Sequence, residues 1–569
     1  MRTINNMDKQ VVGFSGNRWI INGSIIDNSN IINHFLDLRK IEKHLQPKFI
    51  NKKYEDLEKP HKILNIDMAG KILQKIISSQ GKITLFGDYD ADGIPSTALL
   101  HNFIEKAGGE VEAIIPDRAD GYGLNEEAEN KIIAHSPELL ITVDNGTSSH
   151  AIIERLMKKK IEVIVIDHHE ISGKKIPHCT IINPKQKDDL YGDINLTAGG
   201  LVFKLIQFMI EKYFKDEKSW ETWLKWQLDL VAISTVCDIA PLTGDNRILV
   251  DKGIIVLKKN HREAFKYLFE IASIDPETVS VYTIGFLIGP RINATGRMGD
   301  SNLSYDFFRS KGLSTRQLAE KLNLLNIQRQ DLFKISYAEA EELYAKSNNN
   351  LFAILSTPHW SEGILGLIAS KITENKYIPS FIFRETEDKF VGSARSIDGI
   401  NVVDLLEKTS SYLLSFGGHE KAGGLTIKKD QFRMWKSKIS KLISRFDRDI
   451  FVRKQIVDAR LSFELTDSVI DTIAQLEPFG MGNAKPVFFD SAIIESINVI
   501  GSQKNHLSLK LKKQSQVFNA VLFGKVDWQK KIKLKNEYLI FYQIAKSNWK
   551  GRKVDIIIKD IADGKKQII

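Results

Sequence analysis

The sequence predicts an α/β protein built around a doubly wound parallel sheet, with a second, smaller α/β domain and a C-terminal β-barrel. Three observations predict this fold class. Short runs of Ile, Val and Leu alternate with amphipathic helical patterns in the first half of the chain, which is typical of a parallel sheet covered by helices. A second, shorter alternation of apolar runs and helical patterns begins near residue 350. Turn-punctuated alternating segments then indicate a small barrel at the C-terminus.

The length of 569 residues is too great for one hydrophobic core, since domains usually hold about 100 to 200 residues. We therefore expect five parts. They are an N-terminal segment at 1–80, a doubly wound domain at 81–312, a connector helix at 313–345, a second α/β domain at 346–449 and a barrel at 450–569.

Each expected element follows from a local pattern. In the first domain the predicted strands are Lys82–Phe86, Val111–Ile115, Leu139–Val143 and Glu162–Ile166, and the predicted helices are Ser96–Ala107, Glu126–His135 and Ser149–Lys159. Further predicted helices lie at Asn30–Leu45, across Gly199–Ile239 and at Ser314–Ala345. The second domain has predicted strands at Leu351–Leu355 and Ser380–Phe383 and a helix at Ile364–Glu374. Barrel strands are predicted at Ile493–Ile500, His506–Leu511, Val517–Phe523, Glu537–Ile544 and Lys553–Ile558.

The composition argues against a secreted or membrane protein. Met1–Gln10 has no apolar core, and no run reaches the roughly 18 apolar residues of a membrane span. The two cysteines, Cys179 and Cys237, form neither a CxxC motif nor a Cys/His metal spacing. Disulfides and structural zinc are therefore not expected. We expect a soluble cytoplasmic protein.

Positive charge is concentrated at the C-terminus. Gly501–Ile569 has 16 Lys and Arg against five Asp and Glu, whereas the remaining chain has 64 against 66. The same segment contains aromatic residues at Phe518, Phe523, Trp528, Tyr538, Phe541, Tyr542 and Trp549. Basic residues interleaved with aromatics favour a single-stranded nucleic acid as partner. We expect most of these rings in the core and one or two, Trp528 or Trp549, on a base. A Lys-rich solvated surface is the alternative reading.

Three carboxylates follow the first predicted strand at alternate positions: Asp88, Asp90 and Asp92. Alternate residues of an extended segment share one face, so the three can converge on a hard cation. The segment is not an EF-hand, because Leu99 occupies the twelfth position from Asp88. An Asp/Gly turn without a metal remains the alternative.

The next strands also end in ligand-type residues. Asp144 follows Leu139–Val143, and Asp167, His168 and His169 follow Glu162–Ile166. Ligands bind at the carboxyl ends of such strands, so a common site is expected. Adjacent residues of an extended backbone point in opposite directions, so we assign His168 to a metal and His169 to a substrate phosphate. Asp167 is expected to orient one histidine.

Asp238 lies in an apolar stretch, where an unpaired carboxylate is costly. Metal ligation would satisfy it, and capping a helix or pairing with Arg247 are the alternatives. The expected metal ligands are Asp88, Asp90, Asp92, Asp144, His168 and Asp238. A set of mostly oxygen ligands suits Mn²⁺ or Mg²⁺ better than structural zinc. Two such ions are typical of in-line phosphoryl displacement, which makes phosphodiester hydrolysis the leading reaction class.

These motifs resemble the DHH phosphoesterase superfamily, and within it the branch of single-strand-specific exonucleases. The resemblance covers nearly the whole chain. It includes the motifs that begin at Gly87, Val143 and Asp167, the stretch that ends at Ile239, and the EPFG sequence at Glu477–Gly480. It implies a DHH domain, a DHH-associated domain and an oligonucleotide-binding barrel. All eight residues Asp88, Asp90, Asp92, Asp144, Asp167, His168, His169 and Asp238 are then expected to be catalytic.

The same resemblance implies substrate-binding residues around glycine-rich turns. They are Arg118, Arg291, Asn293, Arg297, Ser393, Arg395 and His419. Arg118, Arg291, Ser393 and Arg395 are the candidates to bind the 5′ phosphate and the first backbone units. For Asn293 and Arg297 the alternative is that they hold the loop and do not contact the substrate. One departure stands out, because Ser361 replaces the histidine usual after Trp360 in relatives.

The implied function is hydrolysis of single-stranded DNA from its 5′ end to mononucleotides, in DNA repair and recombination. The implied partners are single-stranded DNA, a RecQ-like helicase and a single-strand-binding protein, and a monomer is expected. Two alternatives stay open at this point. One is a phosphoesterase for very short oligonucleotides or cyclic dinucleotides, which would not need a basic barrel. The other is a non-catalytic DNA-binding scaffold, against which the intact acidic and histidine residues argue.

Overall fold

The computed structural model describes residues 9–21, 26, 30–118, 121, 123–171, 176–215, 218–347, 349–463, 465–546 and 554–563. Within these ranges the predicted fold class is confirmed, with parallel sheets, mixed α/β content and a closed barrel at the C-terminus. None of the helices in these ranges combines the length and the apolar character that crossing a bilayer requires.

The N-terminal part contains two strands that the sequence did not predict. The elements up to residue 81 are β1 (Lys9–Val12), β2 (Arg18–Ile21), α1 (Ile31–Leu38), α2 (Gln46–Asn51) and α3 (Ile66–Ser78). The helix predicted at Asn30–Leu45 ends early, at Leu38, and a short 3₁₀ turn follows at Lys43–Leu45.

The first sheet is parallel throughout and has the strand order β4-β3-β5-β6-β7. Its elements are β3 (Lys82–Gly87), α4 (Gly93–Lys106), β4 (Glu110–Ile114), α5 (Glu126–His135), β5 (Leu139–Val143), α6 (His150–Lys158), β6 (Glu162–Ile166) and β7 (Thr180–Ile182). Alternate residues of β6 pack into two different cores, Ile164 into one and Val163 into the other. This two-sided burial explains why the strands are continuous apolar runs.

Helices complete the first domain and connect it to the second. They are α7 (Ala198–Tyr213), α8 (Lys218–Trp226), α9 (Leu228–Cys237), α10 (Gly244–Lys258), α11 (Glu263–Ala272), α12 (Gly289–Met298), α13 (Asn302–Arg309) and the connector α14 (Leu313–Lys346). A π-helical segment at Thr283–Ile288 runs directly into α12. The connector spans 34 residues and extends one residue beyond each end of the predicted helix Ser314–Ala345.

The second domain is a five-stranded sheet in the order β11-β12-β10-β9-β8, in which only β8 and β9 are parallel. Its elements are β8 (Ala353–Thr357), α15 (Glu362–Lys376), β9 (Ser380–Glu385), β10 (Lys389–Arg395), α16 (Val402–Glu407), β11 (Leu413–His419), β12 (Ala422–Lys428) and α17 (Phe432–Ile443).

The barrel closes because β18 pairs with both β19 and β15. Its elements are β13 (Lys454–Val457), β14 (Ala459–Arg460), α18 (Asp467–Ala474), β15 (Phe488–Ile500), β16 (His506–Lys513), β17 (Gln516–Leu522), β18 (Glu537–Lys546) and β19 (Val554–Asp563). The N-terminal strand β2 pairs with β13, and Phe35 of α1 lies in the barrel core. The N-terminal segment therefore packs with the barrel. The domain boundaries drawn from the sequence stay a prediction.

Arg247 of α10 joins the first domain to the segments beside it. Its side chain is almost fully buried and donates hydrogen bonds to the backbone carbonyls of Phe49 at 2.9 Å, Leu476 at 3.0 Å, Glu477 at 2.7 Å and Pro478 at 3.1 Å. Burial lowers the pKa of this guanidinium to about 9. One side chain thus satisfies four carbonyls in two distant segments, including the EPFG sequence.

We expect Arg247→Met to destabilise the protein by about 2–4 kcal/mol, because the carbonyls would stay buried without donors. A thermal melt would measure the lower melting temperature. Arg433→Met is the matched control, since Arg433 is exposed and should change stability by less than about 0.5 kcal/mol. Equal melting temperatures for the two variants would show that Arg247 does not join these segments.

Candidate active site

Acidic residues meet at one edge of the first sheet. Asp88 directly follows β3, Asp144 follows β5 and Asp167 follows β6, and these three strands are neighbours in the sheet. All three side chains are buried. Asp144 adopts a left-handed backbone conformation with φ of 66°, which Asp tolerates better than most residues. The parallel sheet therefore collects residues that are far apart in the sequence.

The segment between β3 and α4 is a tight turn, in which Asp90 Oδ1 accepts hydrogen bonds from the backbone N–H groups of Asp92 at 2.8 Å and Gly93 at 3.1 Å. A Cβ atom on Gly93 would lie 2.6 Å from the backbone oxygen of Asp88, so a larger residue does not fit. The expectation that Asp88, Asp90 and Asp92 converge from an extended segment is corrected here. The turn directs Asp92 into a different group of ligands.

Asp92 is held at the N-terminus of α7. Its carboxylate accepts hydrogen bonds from the backbone N–H groups of Ala198 at 3.2 Å and Gly199 at 3.3 Å, and from the hydroxyl of Ser234. The positive end of the helix dipole favours a negative charge at this position. Sequence reasoning missed Ser234, because a serine inside an apolar helix gives no signal of its partner.

Seven of the eight predicted catalytic residues form three trios whose ligand atoms lie within 4.8 Å of one another, and the eighth, Asp167, contacts His169. The trios are Asp88 with Asp90 and Asp144, Asp92 with His168 and Asp238, and Asp144 with His168 and His169. Asp144 and His168 each belong to two trios. The arrangement is compatible with two adjacent cation positions that share a carboxylate.

The two histidines lie side by side. His168 Nε2 is 3.2 Å from Asp144 Oδ1 and 3.3 Å from Asp92 Oδ2. The rings of His168 and His169 have centroids 4.7 Å apart, and both approach Asp144. The expectation that adjacent histidines must point in opposite directions is therefore wrong, because the chain leaves the extended conformation after β6 ends at Ile166.

Asp167 orients the second histidine. Its Oδ1 lies 2.7 Å from His169 Nδ1 and accepts hydrogen bonds from the backbone N–H groups of His168 and His169, while Oδ2 accepts one from Thr147 N–H at 3.0 Å. These contacts hold the pKa of Asp167 well below its usual range despite burial, which acts in the opposite direction. Burial also opposes charge on His169, yet Asp167 raises the pKa of His169 to about 9. Asp167 therefore fixes the orientation of the His169 ring and favours its protonated form.

The remaining carboxylates repel one another. Burial, followed by the charge of Asp92, raises the pKa of Asp144 well above its ordinary value. Burial, followed by the charge of Asp90, raises the pKa of Asp88 well above its ordinary value. Burial, followed by the charge of Asp92, raises the pKa of Asp238 to about 8. Burial lowers the pKa of His168. Such a group is costly to keep ionised unless a cation is present.

The residues fit a divalent cation. Asp88 Oδ1 and His168 Nε2 are buried and have no hydrogen-bond partner among the described residues. An oxygen-rich set with one or two imidazoles suits Mn²⁺ or Mg²⁺. The alternative pairing of Asp238 with Arg247 is wrong, since the guanidinium of Arg247 binds the carbonyls named above.

Cationic and polar groups of the second domain face this edge. Arg395 of β10 donates to the hydroxyls of Ser370 at 3.0 Å and Ser393 at 3.1 Å. Burial, then the charge of Arg118, lowers the pKa of Arg395. Burial, Arg395 and also His169 lower the pKa of His419. These groups of the second domain therefore lie close enough to Arg118 and His169 of the first domain to interact with them electrostatically.

Arg118 follows β4 in the first domain. Its guanidinium carbon is 4.7 Å from the centroid of the Tyr89 ring, an arrangement typical of a cation–π contact. Its Nε atom is buried and has no hydrogen-bond partner among the described residues. Ring contact fixes the guanidinium without neutralising it, so its charge is available to an anion.

The predicted residues of α12 have different environments. Asn293 Oδ1 accepts a hydrogen bond from Ala91 N–H at 3.0 Å, within the aspartate turn. Arg297 donates to the backbone oxygen of Gly363 at 2.8 Å and so bridges the two domains. Arg291 donates to Asn323 of the connector at 3.0 Å. Asn293 and Arg297 therefore have a loop-holding geometry, as the sequence allowed. Ser361 is the N-cap residue of α15 and is half-buried.

Three family models match the chain. The DHH family N-terminal domain matches residues 82–235, the DHHA1 domain matches 349–448 and the RecJ OB domain matches 457–560. The chain is 32% identical over 445 residues to the single-stranded-DNA-specific exonuclease RecJ of Escherichia coli, covering 74% of this chain and 77% of that relative. It is 31% identical over 528 residues to the Bacillus subtilis protein of the same name, covering 90% of this chain. The chain spans 65% of the length of that relative.

Solved structures agree with these matches. A crystal structure of RecJ in complex with Mn²⁺ from Thermus thermophilus superposes with a TM-score of 0.79 and 25% identity, over 95% of this chain and 79% of that chain. A structure of an exonuclease RecJ bound to manganese superposes with a TM-score of 0.59 and 28% identity, over 68% of this chain and 96% of that one. The resemblance drawn from the motifs is confirmed.

We expect Mn²⁺ to raise the melting temperature of the protein, by the equivalent of about 2–3 kcal/mol at a hundredfold excess over the dissociation constant. Asp144→Asn should remove this stabilisation while raising the metal-free melting temperature, because it removes one of the mutually repelling charges. Asn also tolerates the left-handed backbone at this position. Differential scanning fluorimetry with and without Mn²⁺ would measure both changes.

Asp430→Asn is the control for this substitution, since Asp430 is exposed and lies outside the cluster. It should melt like the wild type with and without Mn²⁺. Full Mn²⁺ stabilisation of Asp144→Asn would mean that the cations bind elsewhere.

Proposed function

Because the chain belongs to the RecJ family of single-stranded-DNA-specific exonucleases, we propose that it hydrolyses single-stranded DNA from the 5′ end to mononucleotides, using Mn²⁺ or Mg²⁺. The observation that carries the proposal is a buried carboxylate cluster opposite unneutralised guanidinium groups. The cluster suits cations and the guanidiniums suit phosphates, so a phosphodiester fits between them.

The proposed metal ligands are Asp88, Asp90, Asp92, Asp144, His168 and Asp238. Two divalent ions, when bound, would supply an activated water and stabilise the leaving oxygen of the displaced phosphodiester. The chain itself holds these ligands in position. Ser234 and the N-terminus of α7 fix Asp92, and Asn293 fixes the turn that carries Asp90. His169, oriented by Asp167, donates to the scissile phosphate.

The terminal phosphate is held by Arg118, Ser393 and Arg395, with His419 beside them. Arg395 and Ser393 are hydrogen-bonded to each other, so the donors are pre-arranged. A 5′ phosphate carries more negative charge than an internal one and gains most from two guanidiniums. This difference supports entry of the strand with its 5′ end first.

The barrel provides a grip on the rest of the strand. Lys510, Lys525 and Lys530 are exposed on it, and exposed lysines contribute salt-dependent phosphate contacts. Most of the predicted aromatic residues are buried, as expected: Tyr538 and Tyr542 lie in the barrel core, and Phe541 stacks on Trp19 of β2 in a separate cluster. Trp528 is buried against Phe14 and cannot stack on a base, and Trp549 lies outside the described residues. Phe523 is 54% exposed and is the proposed stacking ring.

The proposed setting is DNA repair and recombination in the cytoplasm, with the enzyme acting as a monomer. Its substrate must be unpaired, so a helicase of the RecQ-like kind that separates duplex DNA would supply it. A single-strand-binding protein would be the other partner, because it occupies the same strands. The free thiols of Cys179 and Cys237 are compatible with a reducing compartment.

The test of the proposal is Mn²⁺-dependent digestion of an oligonucleotide labelled at its 3′ end, offered as single strand, as duplex and with either end blocked. We expect the single strand alone to shorten progressively, and a 5′ block to stop the reaction. Cleavage limited to dinucleotides would contradict the proposal in favour of a small-substrate phosphoesterase. Binding without cleavage would instead indicate a scaffold.

Phe523→Ala should weaken binding of a long single strand by about 1–3 kcal/mol, the usual contribution of one base stacked on an aromatic ring. Fluorescence anisotropy of a labelled oligonucleotide would measure it. Leu534→Ala serves as the control, since Leu534 is similarly exposed on the barrel but has no aromatic ring. Equal affinities of the two variants for the single strand would show that Phe523 does not stack on a base.

A further inference from the structure

The first turn of α10 contains a buried asparagine that the function proposed above does not use. Asn246 is fully buried, and its side-chain Nδ2 donates hydrogen bonds to the backbone oxygens of Asn195 at 2.6 Å and Pro241 at 3.2 Å. One amide group can serve both acceptors because it has two N–H donors. Asn195 lies shortly before α7, and Pro241 lies between α9 and α10. One side chain therefore joins two segments that are distant in the sequence.

The segment at Asn195 holds Asp92 in place. It leads directly into α7, whose first two backbone N–H groups donate to the Asp92 carboxylate at 3.2 Å and 3.3 Å. A second contact fixes the same segment, since Asp193 accepts hydrogen bonds from the backbone N–H groups of Asn195 at 3.2 Å and Asp245 at 2.9 Å. The position of Asp92 therefore depends on the first turn of α10.

The segment at Pro241 begins at Asp238, the C-cap residue of α9. Within the described ranges no hydrogen bond reaches the Asp238 carboxylate, and His168 Nε2 lies 3.8 Å from it. The direction of this carboxylate is therefore set by the backbone. The next residue, Ile239, adopts a left-handed conformation with φ of 60°, which is unfavourable for a β-branched residue. Such a conformation persists only where the surrounding contacts fix it.

Two contacts from outside α9 fix this strained segment. The backbone N–H of Leu242 donates to the backbone oxygen of Met481 at 2.7 Å, and the Asn246 amide binds the segment at Pro241. The Asn246 contact differs from the first because the same amide also binds the segment before α7. Asn246 therefore links the backbone that follows one candidate metal ligand to the segment that holds another.

We propose that Asn246 is a positioning residue that sets the separation of Asp92 and Asp238, and with it the affinity of their trio for a divalent cation. This inference rests on the function proposed above and deepens it. Asp92 and Asp238 share a trio with His168. Without the amide, two buried carbonyls would lose their donor and the two segments could separate, which the repulsion between the carboxylates favours. The trio that contains Asp88 lies outside this link and should keep its affinity.

Asn246→Leu tests the inference in the full chain, because leucine is similar in size but has no donor. Calorimetric titration of Mn²⁺ into the metal-free variant should show roughly tenfold weaker binding of one ion, which is typical of the loss of a group that orients a metal ligand. That ion is the one whose binding Asp238→Asn removes. The other ion should bind with wild-type affinity.

The rate of DNA cleavage gives a second readout. Asn246→Leu should need roughly tenfold more Mn²⁺ for half-maximal kcat, and saturating Mn²⁺ should restore kcat, because the ligands themselves are intact. Misfolded protein would not recover in this way. KM for the single strand should remain unchanged. Asp193→Asn, which weakens one contact of the same turn, should give a smaller change in the same direction.

Thr409→Val is the matched control. Thr409 is fully buried in the second domain, and its hydroxyl donates to the backbone oxygens of Leu405 at 2.9 Å and Leu406 at 3.1 Å. Loss of this donor should lower the melting temperature but leave Mn²⁺ binding unchanged. Adding Asn246→Leu to Asp238→Asn should likewise leave the remaining ion unaffected, because both changes act on the same ion.

Wild-type Mn²⁺ affinity in Asn246→Leu would overturn the inference, and so would equal weakening of both ions, which would show a general structural role. Absence of DNA cleavage by the wild type, with the Mn²⁺ loss of Asn246→Leu intact, would overturn only the proposed nuclease function.

Discussion

Mutual repulsion between buried carboxylates is the constraint on which the rest of the structure depends. Burial, together with the charges of Asp90 and Asp92, raises the pKa values of Asp88, Asp144 and Asp238. No folded chain gains from such a group by itself. The surrounding hydrogen bonds make sense as a frame that keeps these residues together until cations neutralise them. Ser234, Asn293 and the N-terminus of α7 all contribute to this frame.

Guanidinium groups of both domains lie near this negative centre, Arg118 and Arg297 in the first domain and Arg395 in the second. Arg118, Arg395 and Arg297 come from three different elements and interact with one another, yet each is fixed by a neutral partner: an aromatic ring, serine hydroxyls or a backbone carbonyl. Their charge is therefore kept for a ligand. A polyanion bound at this site would contact both the divalent cations and the guanidinium groups, so residues of both domains contribute to the candidate site.

Much of this could be predicted from the sequence. Strands such as Leu139–Val143 and Glu162–Ile166 were predicted with their observed bounds, because strands buried on both faces are continuous apolar runs. The strand-end rule then located the acidic cluster. It failed where the backbone is not extended: the turn after β3 separates Asp92 from Asp88, and the segment after β6 turns both histidines towards Asp144. Strands β1 and β2 were missed because each is four residues long, and β2 completes its sheet by pairing with β13, more than 400 residues away. No local pattern encodes such a contact. Trp528 was misassigned for the same reason, since it is buried against the distant Phe14.

The central claim is that the strand-end cluster is a two-cation site, and electron paramagnetic resonance of Mn²⁺ titrated into the metal-free protein tests it most directly. The account predicts two bound ions per chain whose spectrum shows exchange coupling, because Asp144 belongs to two trios and its carboxylate can bridge two ions. A single uncoupled Mn²⁺ at saturation, or none, would contradict it.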